Sequence, residues 1–550
     1  MAFDGIARAP APASMSAEAA PLTGATATTT SHSPHSRHGL LARRRSFLAR
    51  WLAAGPAAAA AAVARSLGLT PNRELVAVAL AYGVQGVKIR MAGLAESYLL
   101  KDGLGLSPAA VTSLLAVAHV PWVVKPLYGF VSDNFPIAGE RRRPYLVACG
   151  LFGSAAFWAL GSGGLATLTP RSACTLITLT ELAVAFSDVV VDAVVVEQAR
   201  GEAQATAGAL QSLCWGAQAV GSLASAYAAG WVIDRAGPRP VLAGMAAFPL
   251  LVAAAAAFIR EVPWSPPGAV AGGGGGGLGP SSAQAHAPAG LAAKLAAIAA
   301  QARALAATLA RPDIAGPALF IWAYHASPSA GQALFFFYSE PPASGGLGFS
   351  PEFIGRIQLL DGLASLAGVA AFNAYLRRVP LRTIFVGVTW ASAVAGLTQL
   401  VLVTRANLAL GLSDKLFVAG DSVLLTALGR IALMPCLVLA ARICPPGVEG
   451  ALFAALMSLS NAGGGAGELI GAALTARLGV KAGAFEGLPA LVAICAVASL
   501  LPLALVGLVG RAGAVGAAAE DEGEGGGGGG GAGEPQGRGG QGGRGGVKKL

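Results

Sequence analysis

In this chain of 550 residues, 54% are hydrophobic and 12% charged, about half the charge of a soluble domain, where roughly a quarter of residues are charged. With a mean hydropathy of +0.62, this excludes a soluble fold of such length and sets the class as all-α integral membrane. The net charge of +10 does not point to nucleic acid, because the cations sit in short segments between apolar runs, where they act as topology signals.

In chain order, residues 1–72 come first. They are rich in Ala, Ser, Thr, Pro and Arg, with a basic cluster at Arg37, Arg43, Arg44, Arg45 and Arg50 and almost no acid beyond Asp4 and Glu18. That is the composition of an organellar transit peptide, with a disordered cytoplasmic tail as the alternative. At roughly 20 apolar residues per span, six candidates follow near 74–100, 109–131, 144–164, 172–198, 204–230 and 239–259. They make an N-terminal half, 73–260. Residues 261–311 hold Pro266, Pro267, the glycine run 272–277 and an Ala-rich stretch with Lys294 and Arg303. This reads as a flexible linker with a short surface helix. Six more spans are expected near 312–338, 350–373, 380–404, 416–442, 447–476 and 487–510, a C-terminal half at 312–511. The Gly-rich stretch 512–550 reads as a solvated disordered tail. The six cysteines (149, 174, 214, 436, 444, 495) are widely spaced without a CxxC, which suits small core residues rather than a disulfide framework or a zinc site. No cofactor is expected.

About twelve transmembrane helices in two six-helix halves, joined by a long polar linker, is the layout of the major facilitator fold, whose halves rock about a midplane site. The loops after the even-numbered spans carry Arg141, Arg142 and Arg143, then Arg200, Arg260 to Arg311, then Arg377, Arg378 and Arg382, then Arg442. The positive-inside rule places them, and both termini, on the cytoplasmic or stromal side, although Arg235, Arg239, Arg405, Lys415 and Lys481 blur the contrast.

The loop after span 2 resembles the major facilitator signature: Gly129, Asp133 four residues on, Gly139, then Arg141, Arg142 and Arg143. In such a gating loop Gly129 allows close helix approach, and Asp133 accepts hydrogen bonds from the Arg cluster in a latch that breaks and reforms. Extra residues between Asp133 and the Arg run alter that latch's spacing. Longer stretches resemble the folate–biopterin transporter family. They include Tyr82 to Gly86, Pro121-Trp122 to Gly129, Phe186 to Asp192, Gln211 to Gly216, Gly348 to Arg356, Val379 to Arg382, Ala440 to Gly447 and Ser460 to Gly464. These segments are in register from about residue 75 to 510. The resemblance implies transport of folates or pterins, often with protons, and for plant-like members a location in the chloroplast (inner envelope) membrane.

Ionisable residues at the bilayer centre cost ~2.5–3.5 kcal/mol each on insertion scales, so each needs a partner or a function. Asp188 and Asp192 share one face of span 4 at i, i+4, and two close carboxylates tend to share a proton. Lys125 lies roughly 12 Å along its helix from Asp133 at 1.5 Å per residue, and Asp188 a similar distance from Glu197, so the two are expected to pair. Gln211 and Trp215, also i, i+4, offer an amide beside an aromatic face for a pterin ring, with ordinary packing of Trp215 near a membrane interface as the alternative. His325, Pro328 and Gln332 are expected to interrupt span 7. Against the resemblance stand Lys88, Arg90, Glu96, Asp361, Arg430 and Glu468. Asp361 and Arg430 are expected either to pair or to leave Arg430 facing the cavity, where it holds a substrate carboxylate.

The expected partners are a small organic anion, protons and the lipid bilayer, with the chain a monomer and no nucleic acid bound. The candidate substrate and coupling residues are Lys125, Asp188, Asp192, Gln211, Trp215, Arg430, Arg442 and Asn461. A membrane-embedded enzyme is the competing reading, but no HExxH, GxSxG or lysine-bearing phosphate loop occurs. A non-transporting sensor on the same fold is the other, and the intramembrane charges argue against it.

Overall fold

Backbone polar groups in hydrocarbon have no water to bond, so long apolar runs must close their hydrogen bonds within a helix. The computed structural model describes residues 64–65, 69–162, 168–199, 204–261, 291–376, 378–444 and 449–509, and these are helical almost throughout. Residues 1–63 and 66–68 of the transit-like segment, the glycine run, the tail, Arg200 and Arg377 lie outside the described residues.

Among the described residues eight helices have the length and apolarity to cross a membrane: Arg73–Gly103, Pro108–Asn134, Arg143–Gly161, Pro238–Phe258, Pro351–Leu376, Leu381–Val403, Asp414–Arg442 and Leu488–Val509. They occupy the places of spans 1, 2, 3, 6, 8, 9, 10 and 12. Spans 4, 5 and 11 are the long helices Pro170–Ala199, Gln204–Ala236 and Glu449–Arg477. Polar residues and glycines dilute their hydropathy without breaking them. Span 7 is two pieces, Pro312–His325 and Gly331–Ser339, interrupted around Pro328 as the sequence suggests. The chain thus has the major facilitator fold, six spans in each half. Between the halves, helix Leu291–Leu309 occupies part of the expected linker. Span 1 also contains two π-helical turns, Lys88–Ala92 and Leu99–Gly103. Such turns rotate the side chains beyond them relative to a regular helix and cluster at functional sites.

Apolar cores show how the halves meet. One buried cluster draws on both, with Tyr98, Leu99, Phe157 and Ile233 from the first half packed with Phe336, Phe337, Ile354 and Leu488 from the second. Two others stay within a half, one around Tyr82, Val191 and Leu213, the other around Phe320, Phe385 and Leu439. The halves therefore share a core at one end, opposite the Arg141–Arg143 loop, and keep separate cores at the other. Polar links reinforce the shared end: Lys101 to Glu340 at 3.0 Å, Arg235 to Glu352 at 3.3 Å, and Tyr227 donating to Glu352 at 3.1 Å.

The broken backbone of span 7 is accommodated by a stripe of glycines on span 11. A Cβ at Gly463, Gly467 or Gly471 would lie 2.4, 2.4 or 2.2 Å from the carbonyl oxygens of Trp322, Ser327 and Ser329. Spacing of i, i+4, i+8 puts all three on one face, so the backbone carbonyls around the break in span 7 lie directly on the helix. Gly467→Val is expected to destabilise the protein by roughly 1–3 kcal/mol or more through overpacking. Thermal unfolding of the purified variant in detergent reads this, and an unchanged midpoint would contradict the packing.

Candidate functional site

Span 1 presents Tyr82, Gln85 and Lys88 at i, i+3, i+6, a spacing that keeps them on one side of the helix. Each meets a carboxylate of span 4. Tyr82 donates its hydroxyl to Asp192, Gln85 donates Nε2 to Asp188 at 2.8 Å, and Lys88 pairs with Glu181. Lys125, at the start of the second segment of span 2, completes the middle rung by pairing with Asp188, and its ammonium lies 5.1 Å over the Trp122 ring. Spans 1 and 2 meet at Asp188, and Gln218 of span 5 joins them indirectly by donating to Gln85 at 3.3 Å. The structure thus brings Lys125, Asp188 and Asp192 together. Asp188 and Asp192 have separate partners instead of bonding to each other, because span 1 inserts a different side chain opposite each.

The third rung is as deeply buried as the middle one: Glu181 is 1% exposed and Lys88 6%, against 5% for Asp188. Glu181 also accepts from Trp122 Nε1 at 2.9 Å and lies 3.3 Å from His119 Nε2. Sequence reasoning noted Lys88 but missed Tyr82, Gln85, Glu181 and His119 as members of the site. The three-residue polar periodicity on span 1 was the available signal.

Other expected residues are spread over the space between the halves. Gln211 and Trp215 are exposed, Trp215 at 52%. Helical phase places them on the side of span 5 that, further along, buries Ala229 and Ile233 in the shared core. Asn461 on span 11 donates to the Trp122 carbonyl at 3.1 Å, tying the second half to the break in span 2. Arg442 is exposed at the end of span 10. Among the described residues no ion pair joins Asp361 to Arg430. Asp361 accepts from Ser422 at 2.6 Å and is influenced by Arg90, which also acts on Arg430. Arg90 and Arg430 come one from each half.

The loop after span 2 folds back on itself despite its extra residues. Ile137 and Glu140 bridge in a tight turn, with Ala138 and Gly139 at φ 52° and 82°, the positive values of a two-residue hairpin turn. The turn brings Arg142 back to Asp133 at 2.8 Å, Ser132 at 3.2 Å and Glu197 at 2.7 Å. Burial alone would push the Arg142 guanidinium down, yet Glu197 and Asp133 hold it above its ordinary range. The Glu261 carboxylate, unforeseen from sequence, accepts the backbone N–H groups of Arg141 and Arg143 at 3.2 and 2.6 Å, capping the start of span 3. Arg143 reaches Glu140 at 3.3 Å. Gly129 departs from expectation. A Cβ there would meet Val189 only at 3.7 Å, an ordinary contact, so the helices do not approach closely enough to require a glycine.

Two six-helix halves that share a core at one end, with partnered charges buried at mid-span, define a membrane transporter of the major facilitator class. The fold matches the POT family transporter PepTSo (TM-score 0.56, 12% identity, 80% of this chain and 98% of that one). It also matches the nucleoside transporter NupG (TM-score 0.55, 11% identity, 79% and 98%). Within the class, the chain belongs to the BT1 family, whose model matches residues 85–524. It is 41% identical over 426 residues to the folate-biopterin transporter of Synechocystis sp., covering 78% of this chain and 79% of that protein. It is 30% identical to the probable folate-biopterin transporter 4 of Arabidopsis thaliana, covering 75% and 90%.

The Lys125–Asp188 pair sets a test of the rung geometry. Lys125→Met strands a buried carboxylate and is expected to cost about 3–5 kcal/mol, whereas Lys125→Met combined with Asp188→Leu removes both charges and recovers much of the loss. Thermal unfolding of both variants reads the difference, and additive losses would contradict the pairing.

Proposed function

We propose that this transporter moves folates, pterins or a related small organic anion by alternating access, coupled to protons. Support for the substrate class comes from the relatives, which are named for folate and biopterin. The single observation that carries the coupling is the asymmetry of the two aspartates. Asp188 has its own ammonium partner, while Asp192 meets the neutral Tyr82 hydroxyl. A buried carboxylate with only a neutral donor gains from being protonated, and one paired with a cation does not. Asp192 is thus suited to take up and release a proton, and Lys125 to hold Asp188 as its charged neighbour. Arg430 and Arg90 supply the positive field that a substrate carboxylate needs. Trp215 and Gln211 offer an aromatic face and an amide for a planar, hydrogen-bonding ring.

On this reading the halves 73–260 and 312–511 rock as units, joined by 261–311, and the Arg142 network latches one end of the first half. The location is a chloroplast inner envelope membrane, reached through residues 1–72, and the working unit is a monomer. The Arg and Ser content of that leader, with its scarcity of acids, supports the address.

Two outcomes test this. In proteoliposomes with labelled folate, Asp188→Asn and Asp192→Asn are expected to abolish or strongly reduce acid-driven uptake at matched protein levels: the amide at 192 keeps the size and hydrogen bonding but cannot titrate, and the amide at 188 leaves the Lys125 ammonium without its carboxylate. Retention of the wild-type rate and pH profile by both would assign the aspartates a purely structural role. A fluorescent fusion carrying residues 1–70 is expected to enter plastids, and one that stays cytosolic would remove the proposed location.

A further inference from the structure

The third rung contains more charge than the pairing of Lys88 with Glu181 settles. Glu96, eight residues (about two turns) further along span 1, is 2% exposed, and its Oε1 has no hydrogen-bond partner. It lies within the field of Lys88, Glu181 and His119. Two buried carboxylates therefore share one ammonium. With His119 neutral the set carries one net negative charge, and with a single added proton it is neutral. In a low-dielectric interior the neutral count is strongly preferred.

The hydrogen bonds of His119 lead to the same count. Its Nδ1 is 2.7 Å from the Leu115 carbonyl oxygen. A carbonyl only accepts, so Nδ1 carries the hydrogen, and in a neutral ring Nε2 is then a bare lone pair. That lone pair would face Glu181 Oε1 at 3.3 Å, acceptor against acceptor. A proton on Nε2 turns the contact into a charge-assisted hydrogen bond.

We propose that His119, Glu181, Lys88 and Glu96 form a second proton-binding site, entered from the space between the halves through His119. The imidazole is half exposed, while Glu181, Lys88 and Glu96 lie behind it. The extra proton has two homes, His119 Nε2 at the entrance and the Glu96 carboxyl within. The opposite half senses which is filled. Span 11 carries Asn461 and Glu468 at i, i+7 on one face, toward the break in span 2. Asn461 holds the Trp122 carbonyl, and Glu468, hydrogen-bonded to Ser329, lies within the field of His119. A cationic His119 attracts Glu468 and draws the halves together at that level, and a neutral one does not. Protonation at this site thereby biases the relative position of the halves, apart from the Asp188 and Asp192 pair.

Only the kinetic arm of the test rests on the transport reading above. In the first arm, infrared difference spectra of the purified full chain in nanodiscs, taken as the pH is lowered, report protonated buried carboxyls. The wild-type carboxyl signal is expected to lose a component in Glu96→Gln and to shift in Glu181→Gln, while Asp192→Asn keeps that component. In the second arm, labelled folate uptake is measured with and without an inward acid gradient, each variant normalised to its own rate without the gradient. His119→Gln, at a half-exposed position that tolerates the change, is expected to lose the acid stimulation. Carboxyl spectra unchanged by both Glu96→Gln and Glu181→Gln would overturn the proposal, as would full acid stimulation in His119→Gln. Wild-type protein that moves no folate under either condition would remove the substrate reading, and the infrared arm would still decide the proton site.

Discussion

Everything at mid-span depends on one constraint: a charge placed in the bilayer interior has to be met by a partner close by. Span 1 meets it with three side chains on one face, Tyr82, Gln85 and Lys88, each opposite an acid of span 4. The rungs differ in kind, from hydroxyl to carboxylate, through amide and ammonium to carboxylate, to ammonium to carboxylate. That gradation gives three acids on one helix three different environments. Removing a cation would leave its acid both buried and unmatched, which is why these positions are coupled and not interchangeable.

The rungs also hold the first half together, leaving the second half free to engage it at few places. Span 2 breaks at Pro121, and the exposed Trp122 carbonyl is taken by Asn461 of the other half. Span 7 breaks around Pro328, and its carbonyls lie on the glycine stripe of span 11. Span 11 therefore touches both broken helices, one in each half. With a shared apolar core at one end and separate cores at the other, the structure is closed on the side opposite the Arg141–Arg143 loop. Motion between the halves would have to exchange the Lys101–Glu340 and Arg235–Glu352 contacts for new ones at the opposite end.

Much of this was legible in the sequence because bilayer thickness and charge cost act on short, local patterns. Helices occupy the twelve expected positions, eight of them long and apolar enough to cross a membrane among the described residues; Pro328 marked the interruption of span 7, and matching depths along two helices brought Lys125 to Asp188. Partners set by tertiary packing were not legible. Glu181 lies seven residues before Asp188 on the same helix face, yet nothing local tells that Lys88, Trp122 and His119 converge on it from two other spans. Glu261 caps the loop of Arg141 from more than a hundred residues away. Gly129 shows the opposite failure, a motif glycine whose close approach the packing does not use, while the close contacts fall on Gly463, Gly467 and Gly471.

The most direct measurement is uptake of labelled folate and labelled biopterin by the purified wild-type chain in proteoliposomes, with and without an inward acid gradient. The expected result is accumulation of at least one of the two that rises with the gradient and collapses when a protonophore dissipates it. Uptake equal to that of empty liposomes for both compounds, or uptake indifferent to the gradient and the protonophore, would contradict a proton-coupled folate or pterin carrier.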